Sequence, residues 1–324
     1  MTSKERINQR FAKDFNLPIN IFRDDMFEYY HELYADFWPE EEWKALNKEI
    51  NEDYGGNMEA WLQHYAEVRD TIIRTLEDSP EYKAFNVKDM SEYVLTNEYR
   101  NLPDRNIYAE DCEGKFYISF DLKKANFQAL KYVGVIKENT YDDFIDKFDK
   151  SFYFKKSKYS RQVIFGKLNP KRTITVEHSM MANVIAACNT YFDKMEQSNA
   201  KIVAFKSDEI IYEIDCVIDQ FTLQRYCEWI KDKLGYEVRA ECIQIERLPI
   251  VNHNGNKVSA FVRRNVNTGE SVLKSVSTTF YPQVYKMWKG ENIEERDRMF
   301  YMDDQLATFM YPLEFNTAEL KQKD

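Results

Sequence analysis

Short apolar runs and polar corners alternate along the second half of the chain. Ile202, Val203, Ala204 and Phe205 climb to Ser207-Asp208-Glu209, and Ile210, Ile211, Tyr212 and Ile214 fall away on the other side. Two runs of this length around turn-forming residues predict a β-hairpin with two carboxylates at its tip. An earlier run, KFYISFD at 115–121, predicts a strand that ends on Asp121, and residues 106–111 predict its neighbour across a Cys-Glu-Gly turn. Elsewhere the period lengthens to that of a helix. Trp61, Leu62, Tyr65, Val68, Ile72, Ile73 and Leu76 share one face after a capping Asn57, and Asp78-Ser79-Pro80 closes the run. Pro39 ahead of Glu40, Glu41 and Glu42 marks another helix start, where negative charge meets the helix dipole. Helices are also predicted at 123–133, 176–197 and 219–234, the last closed by Gly235. A strand follows at 236–247, a hairpin at 257–277 and a helical stretch at 280–310.

The order is strand, helix, insertion, helix, hairpin, helix, strand. Without the insertion this is a split β-α-β, an α+β ferredoxin-like sheet in which the first strand and the hairpin are central neighbours. Asp121 and Asp208, 87 residues apart in sequence, then stand at adjacent strand ends. Carboxylates so placed can hold divalent cations that act on phosphates; the same residue types also serve as plain helix caps and solvated corners. Three parts are expected: a helical region at 1–104, the sheet at 105–250 with a helical or irregular insertion at 135–176, and a C-terminal hairpin with helices at 251–324. The one expected seam lies near 100–105.

Composition changes this picture little, but charge changes it a good deal. Of 324 residues 44% are hydrophobic and 31% charged, enough for a core in a folded protein. No apolar run of about 18 residues is present, which predicts no transmembrane helix. The start, MTSKERINQRFAKDF, lacks the apolar centre of a secretory signal. Cys112, Cys188, Cys216, Cys227 and Cys242 have no paired spacing and read as free thiols in a reducing, cytoplasmic setting. Four widely spaced histidines argue against a histidine-based metal centre. The net charge of −10 is unevenly spread: residues 1–100 carry 12 Lys+Arg against 22 Asp+Glu, whereas the other 224 residues hold 33 of each. Within the balanced part, residues 150–176 contain eight basic residues and no acidic one: Lys150, Lys155, Lys156, Lys158, Arg161, Lys167, Lys171 and Arg172. Phe152, Tyr153, Phe154, Tyr159 and Phe165 interleave them. Such a patch binds polyphosphate whatever the overall charge.

Three segments, in order, resemble the polymerase-I-like (family A) DNA polymerases. SFDLKKANFQALK resembles motif A, SRQVIFGKLNPKR resembles the fingers helix, and KSDEIIYEI resembles motif C. The resemblance spans 121–214, under a third of the chain. It implies a reduced polymerase-type palm, with 1–104 as a thumb-like region and 135–176 as fingers. It implies Asp121 and Asp208 as ligands of two Mg²⁺ or Mn²⁺ ions, supported by Glu209. Arg161 stands where the family has a lysine that meets the incoming triphosphate, and Phe165 where a ring stacks near the incoming base. Lys158, Lys167, Lys171 and Arg172 are the remaining candidates for a nucleoside triphosphate or a DNA or RNA primer and template. Four positions depart from the family: Asn126 replaces the glutamate that excludes ribose, Asn169-Pro170 replaces Tyr-Gly, and Ser207 replaces the motif C histidine. A proline at 170 breaks a long fingers helix. The short chain and reduced motifs fit a bacterial or phage-encoded protein.

The expected activity is therefore nucleotidyl transfer to a 3′-hydroxyl by a two-metal mechanism. Two alternatives stay open. One is a cyclic-nucleotide synthase on the same palm, although the two glycines usual at that hairpin are missing. The other is a palm-like module that binds nucleic acid without catalysis, stacking bases on Phe116, Tyr117 and Phe205. Tyr301-Met302-Asp303-Asp304 copies the catalytic string of reverse transcriptases, but it follows a charged run and reads as part of a helix, hence as coincidence. His178 is expected to pack on or near its helix, and His253 to sit in a turn.

Overall fold

The computed structural model describes residues 2–14, 24–33, 40–194, 200–302 and 305–319. Pro39 lies outside them. The chain forms two compact units, Met1–Val94 with Lys124–Glu177, and Leu95–Lys123 with His178–Asp324.

The first unit is helical. It contains α1 (Ser3–Asp14), α2 (Asp24–Leu33), α3 (Glu40–Asp53), α4 (Met58–Asp78) and α5 (Pro80–Val87). After α6 (Asn97–Arg100), which belongs to the second unit, come α7 (Ala125–Tyr132), α8 (Tyr141–Ile145), α9 (Phe152–Lys156), α10 (Lys158–Gly166) and the first turns of α11 (Pro170–Lys194). Asn57 caps α4 by accepting from the Ala60 N–H at 3.1 Å, and α4 buries the predicted face of Trp61, Leu62, Tyr65, Val68, Ile72 and Leu76. The seam falls at Leu95, and residues 124–177 group with the N-terminal helices rather than with the strands. The reason is aromatic packing: Phe154 stacks on Tyr65 at 5.2 Å between centroids, and Tyr153 meets Trp61 edge-on at 5.1 Å.

The second unit is built on a six-stranded antiparallel sheet in the order β2-β3-β1-β4-β7-β8. Its strands are β1 (Phe116–Leu122), β2 (Lys201–Phe205), β3 (Glu209–Ile214), β4 (Val238–Arg247), β7 (Phe261–Asn265) and β8 (Ser271–Lys274). The short strands β5 (Ile250–Val251), β6 (Lys257–Val258) and β11 (Glu314–Phe315) form a second sheet, and β9 (Met299–Met302) pairs with β10 (Gln305–Thr308). Two further helices are α12 (Gln220–Leu234), closed by Gly235 at φ 78°, and α13 (Tyr281–Trp288). The fold is thus α+β with an open antiparallel sheet, and the first strand lies beside the second strand of the hairpin.

Both faces of the central strands are covered, which is why β1 reads as an almost unbroken apolar run. On one face Phe120 packs against Tyr212 and against Tyr226 of α12, each at 6.2 Å between ring centroids. On the other, Tyr117, Ile211, Ile243 and Ile245 pack with Ile107 and Cys112. Cys112 follows, and Ile107 sits in, the segment expected as a strand at 106–111. It is not one. Residues 103–105 bond briefly along β2, through Phe205 N–H to Pro103 O and Arg105 N–H to Val203 O. The chain then leaves that edge and turns through a 3₁₀ helix at Glu110–Cys112. The helical stretch expected at 280–310 also needs correction: the helix stops at Trp288, and 299–302 and 305–308 pair as antiparallel strands. Two short apolar runs split by turn-forming Asp-Asp are a hairpin pattern, which outweighs the charged run before them. Asp303 and Asp304 themselves lie outside the described residues.

Candidate active site

Strand register brings the motif carboxylates together. On the sheet, Asp121 of β1 pairs directly with Glu209 of β3 on one side and with Arg239 of β4 on the other. Side chains of directly paired residues share a face, so Asp121, Glu209 and Arg239 emerge together. Two residues inward along the same face, Ser119 pairs with Glu241. Asp208 lies in the three-residue corner before β3, closed by the Lys206 N–H donating to Glu209 O at 2.8 Å. The Leu122 N–H donates to Asp208 O, also at 2.8 Å, so the backbone that follows Asp121 is tied to that corner.

Hydrogen bonds and ion pairs fix this face unevenly. Ser119 Oγ donates to Glu209 Oε1 at 2.5 Å from a buried position. Arg263 of β7 lies 2.7 Å from Glu241 Oε2 and 3.6 Å from Glu209 Oε1, and it also bonds Tyr108. Its side chain is 16% exposed. Arg239 Nη2 stands 3.4 Å from Asp121 Oδ2, and Arg239 Nε stands 3.4 Å from Glu241 Oε1. Burial pushes the Asp121 carboxyl up to about 6; Arg239 opposes this, and the charges of Asp208, Glu209 and Glu241 add to it. His178 of α11 packs tilted on Phe205 at 5.8 Å, and burial holds its imidazole below the usual range while Asp208 draws it the other way.

The donors at this tip are all oxygens, the set that suits Mg²⁺ or Mn²⁺. Among the described residues no three His, Cys, Asp or Glu side chains converge as a ready-made metal cage. Mg²⁺ needs less than a cage, because it takes one or two carboxylates and completes its shell with water and substrate phosphates. Asp121 and Asp208 are the two carboxylates available for such a role, since the Asp208 charge acts on Asp121 where β1 ends beside the corner before β3.

The basic candidates belong to the first unit and behave differently from one another. Lys158, Lys167 and Lys171 are exposed on α10, at its end, and on α11. Arg161 is half-buried, with its guanidinium 5.7 Å from the Tyr141 ring centre. Phe165 is 1% exposed, packed among Tyr141 and Phe144 at 6.3 and 6.4 Å. That corrects the expectation of a ring free to stack on a base: helical spacing put Phe165 on the buried side of α10. Arg172 donates to Lys88 O and lies over Phe85 at 5.4 Å, so its guanidinium is engaged within the unit. Pro170 does interrupt the helix, as α10 ends at Gly166 and α11 begins at Pro170. Asn126 Nδ2 donates to the buried Glu177 Oε1 at 2.9 Å.

Arg239, Glu241, Arg263 and Ser119 were not anticipated from sequence. A signal existed for the first two: in VRAECIQIER the polar Arg239 and Glu241 alternate with buried Val238, Ala240 and Cys242, which places both on one face. Among the described residues no helix is long and apolar enough to cross a membrane. Comparison with protein-family models, with curated proteins and with solved structures finds no match to this chain.

Proposed function

We propose that the chain is a Mg²⁺- or Mn²⁺-dependent nucleotidyltransferase of DNA-polymerase type, adding a nucleotide to a 3′-hydroxyl by attack on the α-phosphate of a nucleoside triphosphate. The observation that carries this reading is the junction of Asp121 and Asp208. Two motif carboxylates 87 residues apart in sequence lie close along the backbone, where the Leu122 N–H donates to Asp208 O and the Asp208 charge acts on Asp121. The order β2-β3-β1-β4 agrees with the split β-α-β sheet on which a polymerase-type palm is built.

Asp121 and Asp208 would hold the cations. Divalent cations at such a site activate the attacking oxygen and neutralise charge on the phosphates. Glu209 is oriented by Ser119 and Arg263, so its carboxylate stays at the tip rather than swinging into solvent. Exposed Lys158, Lys167 and Lys171, with Arg161, are the candidates to meet the triphosphate or the nucleic-acid backbone. The binding-only alternative loses one of its platforms, because the Tyr117 ring is 0% exposed within the sheet core.

The test is incubation with Mg²⁺, labelled nucleotides and a primer, with and without template. Extension is expected for the native chain and loss of extension for Asp208→Ala. Extension that survives Asp208→Ala would sink the assigned site, and binding without extension under any metal would favour the module that only binds.

A further inference from the structure

The two arginines at the carboxylate tip are held in opposite ways. Arg263 is 16% exposed and makes a short contact of 2.7 Å with Glu241, besides its bond to Tyr108. It is a fixed counter-charge for Glu209 and Glu241. Arg239 is 58% exposed, and both of its carboxylate contacts are long, 3.4 Å to Asp121 and 3.4 Å to Glu241. Contacts of that length are weak, and exposure screens them further. Strand register nevertheless aims Arg239 straight at Asp121. A guanidinium and a divalent cation compete for the same carboxylate oxygens, because each needs the negative charge the other would neutralise.

Building on the proposed function, we propose that Arg239 is an exchangeable counter-ion: it covers Asp121 in the cation-free protein, is released when a divalent cation takes that carboxylate, and then grips the phosphates of the incoming polyphosphate. Glu241 suits the pivot in this exchange, since it contacts Arg239 through Nε and leaves the planar fork of the two terminal nitrogens able to turn. A fork of that shape matches phosphate oxygens in pairs. The same residue thereby blocks the site when it is empty and selects for an anionic substrate once it is loaded.

The experiment compares native protein, Arg239→Gln and Arg239→Lys. Mn²⁺ binding is followed by electron paramagnetic resonance, and binding of the Mn²⁺ complex of inorganic tripolyphosphate by calorimetry. Removing an exposed competing cation should tighten Mn²⁺ by about 2- to 5-fold in Arg239→Gln. The difference should shrink at high salt as screening grows. Loss of a charge-assisted contact should weaken tripolyphosphate by about tenfold or more. Arg239→Lys should keep native-like Mn²⁺ affinity but recover tripolyphosphate only in part, because an ammonium is not a planar fork. Mn²⁺ affinity that is unchanged or lower in Arg239→Gln overturns the inference, and so does tripolyphosphate binding that stays at the native level. Both readouts are made without turnover. A chain that binds Mn²⁺ as expected yet extends no primer would lose the nucleotidyltransferase reading and keep this one.

Discussion

The acidic tip of the second unit and the basic segment of the first both gather charges of one sign, but by different means. At the tip each carboxylate comes from a different strand or corner, and backbone register sets their neighbours: Asp121 from β1, Glu209 from β3, Glu241 from β4. Burial raises the proton affinity of the Asp121 carboxyl there, Arg239 opposes it, and the neighbouring carboxylates add to it. In residues 150–176 the charges are neighbours along the chain, and short helices spread them apart again. Lys155 pairs with Asp146 at 2.6 Å, Arg172 turns to the Lys88 carbonyl, and Phe165 disappears into the core. Charge concentrated by tertiary pairing stays together at one strand end, with Arg239 and Arg263 as its counter-charges, whereas charge concentrated only in sequence is dispersed by the local fold.

The sharpest break in this comparison comes from catalysis. Asp121→Ala should lower nucleotide addition by a factor on the order of 10³ or more, since it removes a proposed metal ligand. Single substitutions of Lys158 or Lys167 should lower it far less. Initial-rate measurements at saturating Mg²⁺ check both, and equal losses would erase the distinction between the two regions.

Next in size is stability. Phe165→Ala should destabilise the chain by about 3–5 kcal/mol, the cost of emptying a packed aromatic site. Denaturant melts check this. A nearly native midpoint with weakened nucleotide affinity would return Phe165 to the base-stacking role that its burial argues against.

A smaller effect, with a defined sign, concerns pH. In the fold the Asp121 carboxyl titrates near 6 rather than 3.8, so the folded chain holds that proton more tightly than the unfolded chain. Its contribution to stability is complete below about pH 4 and is lost as pH rises through 6. In metal-free buffer Asp121→Asn should therefore be more stable than the native chain at pH 8, by roughly 1–3 kcal/mol, and no more stable at pH 3.5. Melts at both values check it; a variant less stable at pH 8 would mean that the Arg239 contact outweighs burial. Mg²⁺ should raise the native midpoint at pH 8 and not that of Asp121→Asn.

The smallest expected effect is on nucleic-acid affinity. Lys158→Glu, Lys167→Glu and Lys171→Glu should leave stability within about 0.5 kcal/mol, because these side chains are exposed. If they meet phosphates, each should lower the slope of log affinity against log salt by about one. Fluorescence anisotropy with a labelled oligonucleotide reads this directly, and unchanged slopes would make the segment an ordinary solvated surface.

Much of this was legible in the chain. The α4 face with its Asn57 cap, the Gly235 stop of α12, the hairpin at 201–214 and the strand ending on Asp121 follow from periodicity and end signals, which act over a few residues. The failures have the same physical root. Residues 106–111 hold a short apolar run before a turn, as a strand does, but the edge of β2 takes up only 103–105, and the apolar Ile107 and Cys112 cover a sheet face instead. Residues 299–302 and 305–308 follow a charged run of helical character, yet they pair as strands, because short apolar runs split by turn-forming residues favour a hairpin.

The sequence by itself determined α4, α12, β1 and the hairpin at 201–214, where the motif carboxylates fall on these strands, and that positive charge collects in 150–176. Tertiary structure alone decided that β4 would set Arg239 and Glu241 beside Asp121, that Arg263 would be fixed while Arg239 stays exposed, and that Phe165 would be buried. Periodicity is a local property, set by the geometry of one helix or strand, and reads directly from residue order. Which strand pairs with which, and which side of a helix is covered, depends on apolar surface buried between segments far apart in the chain, and no local pattern carries that information.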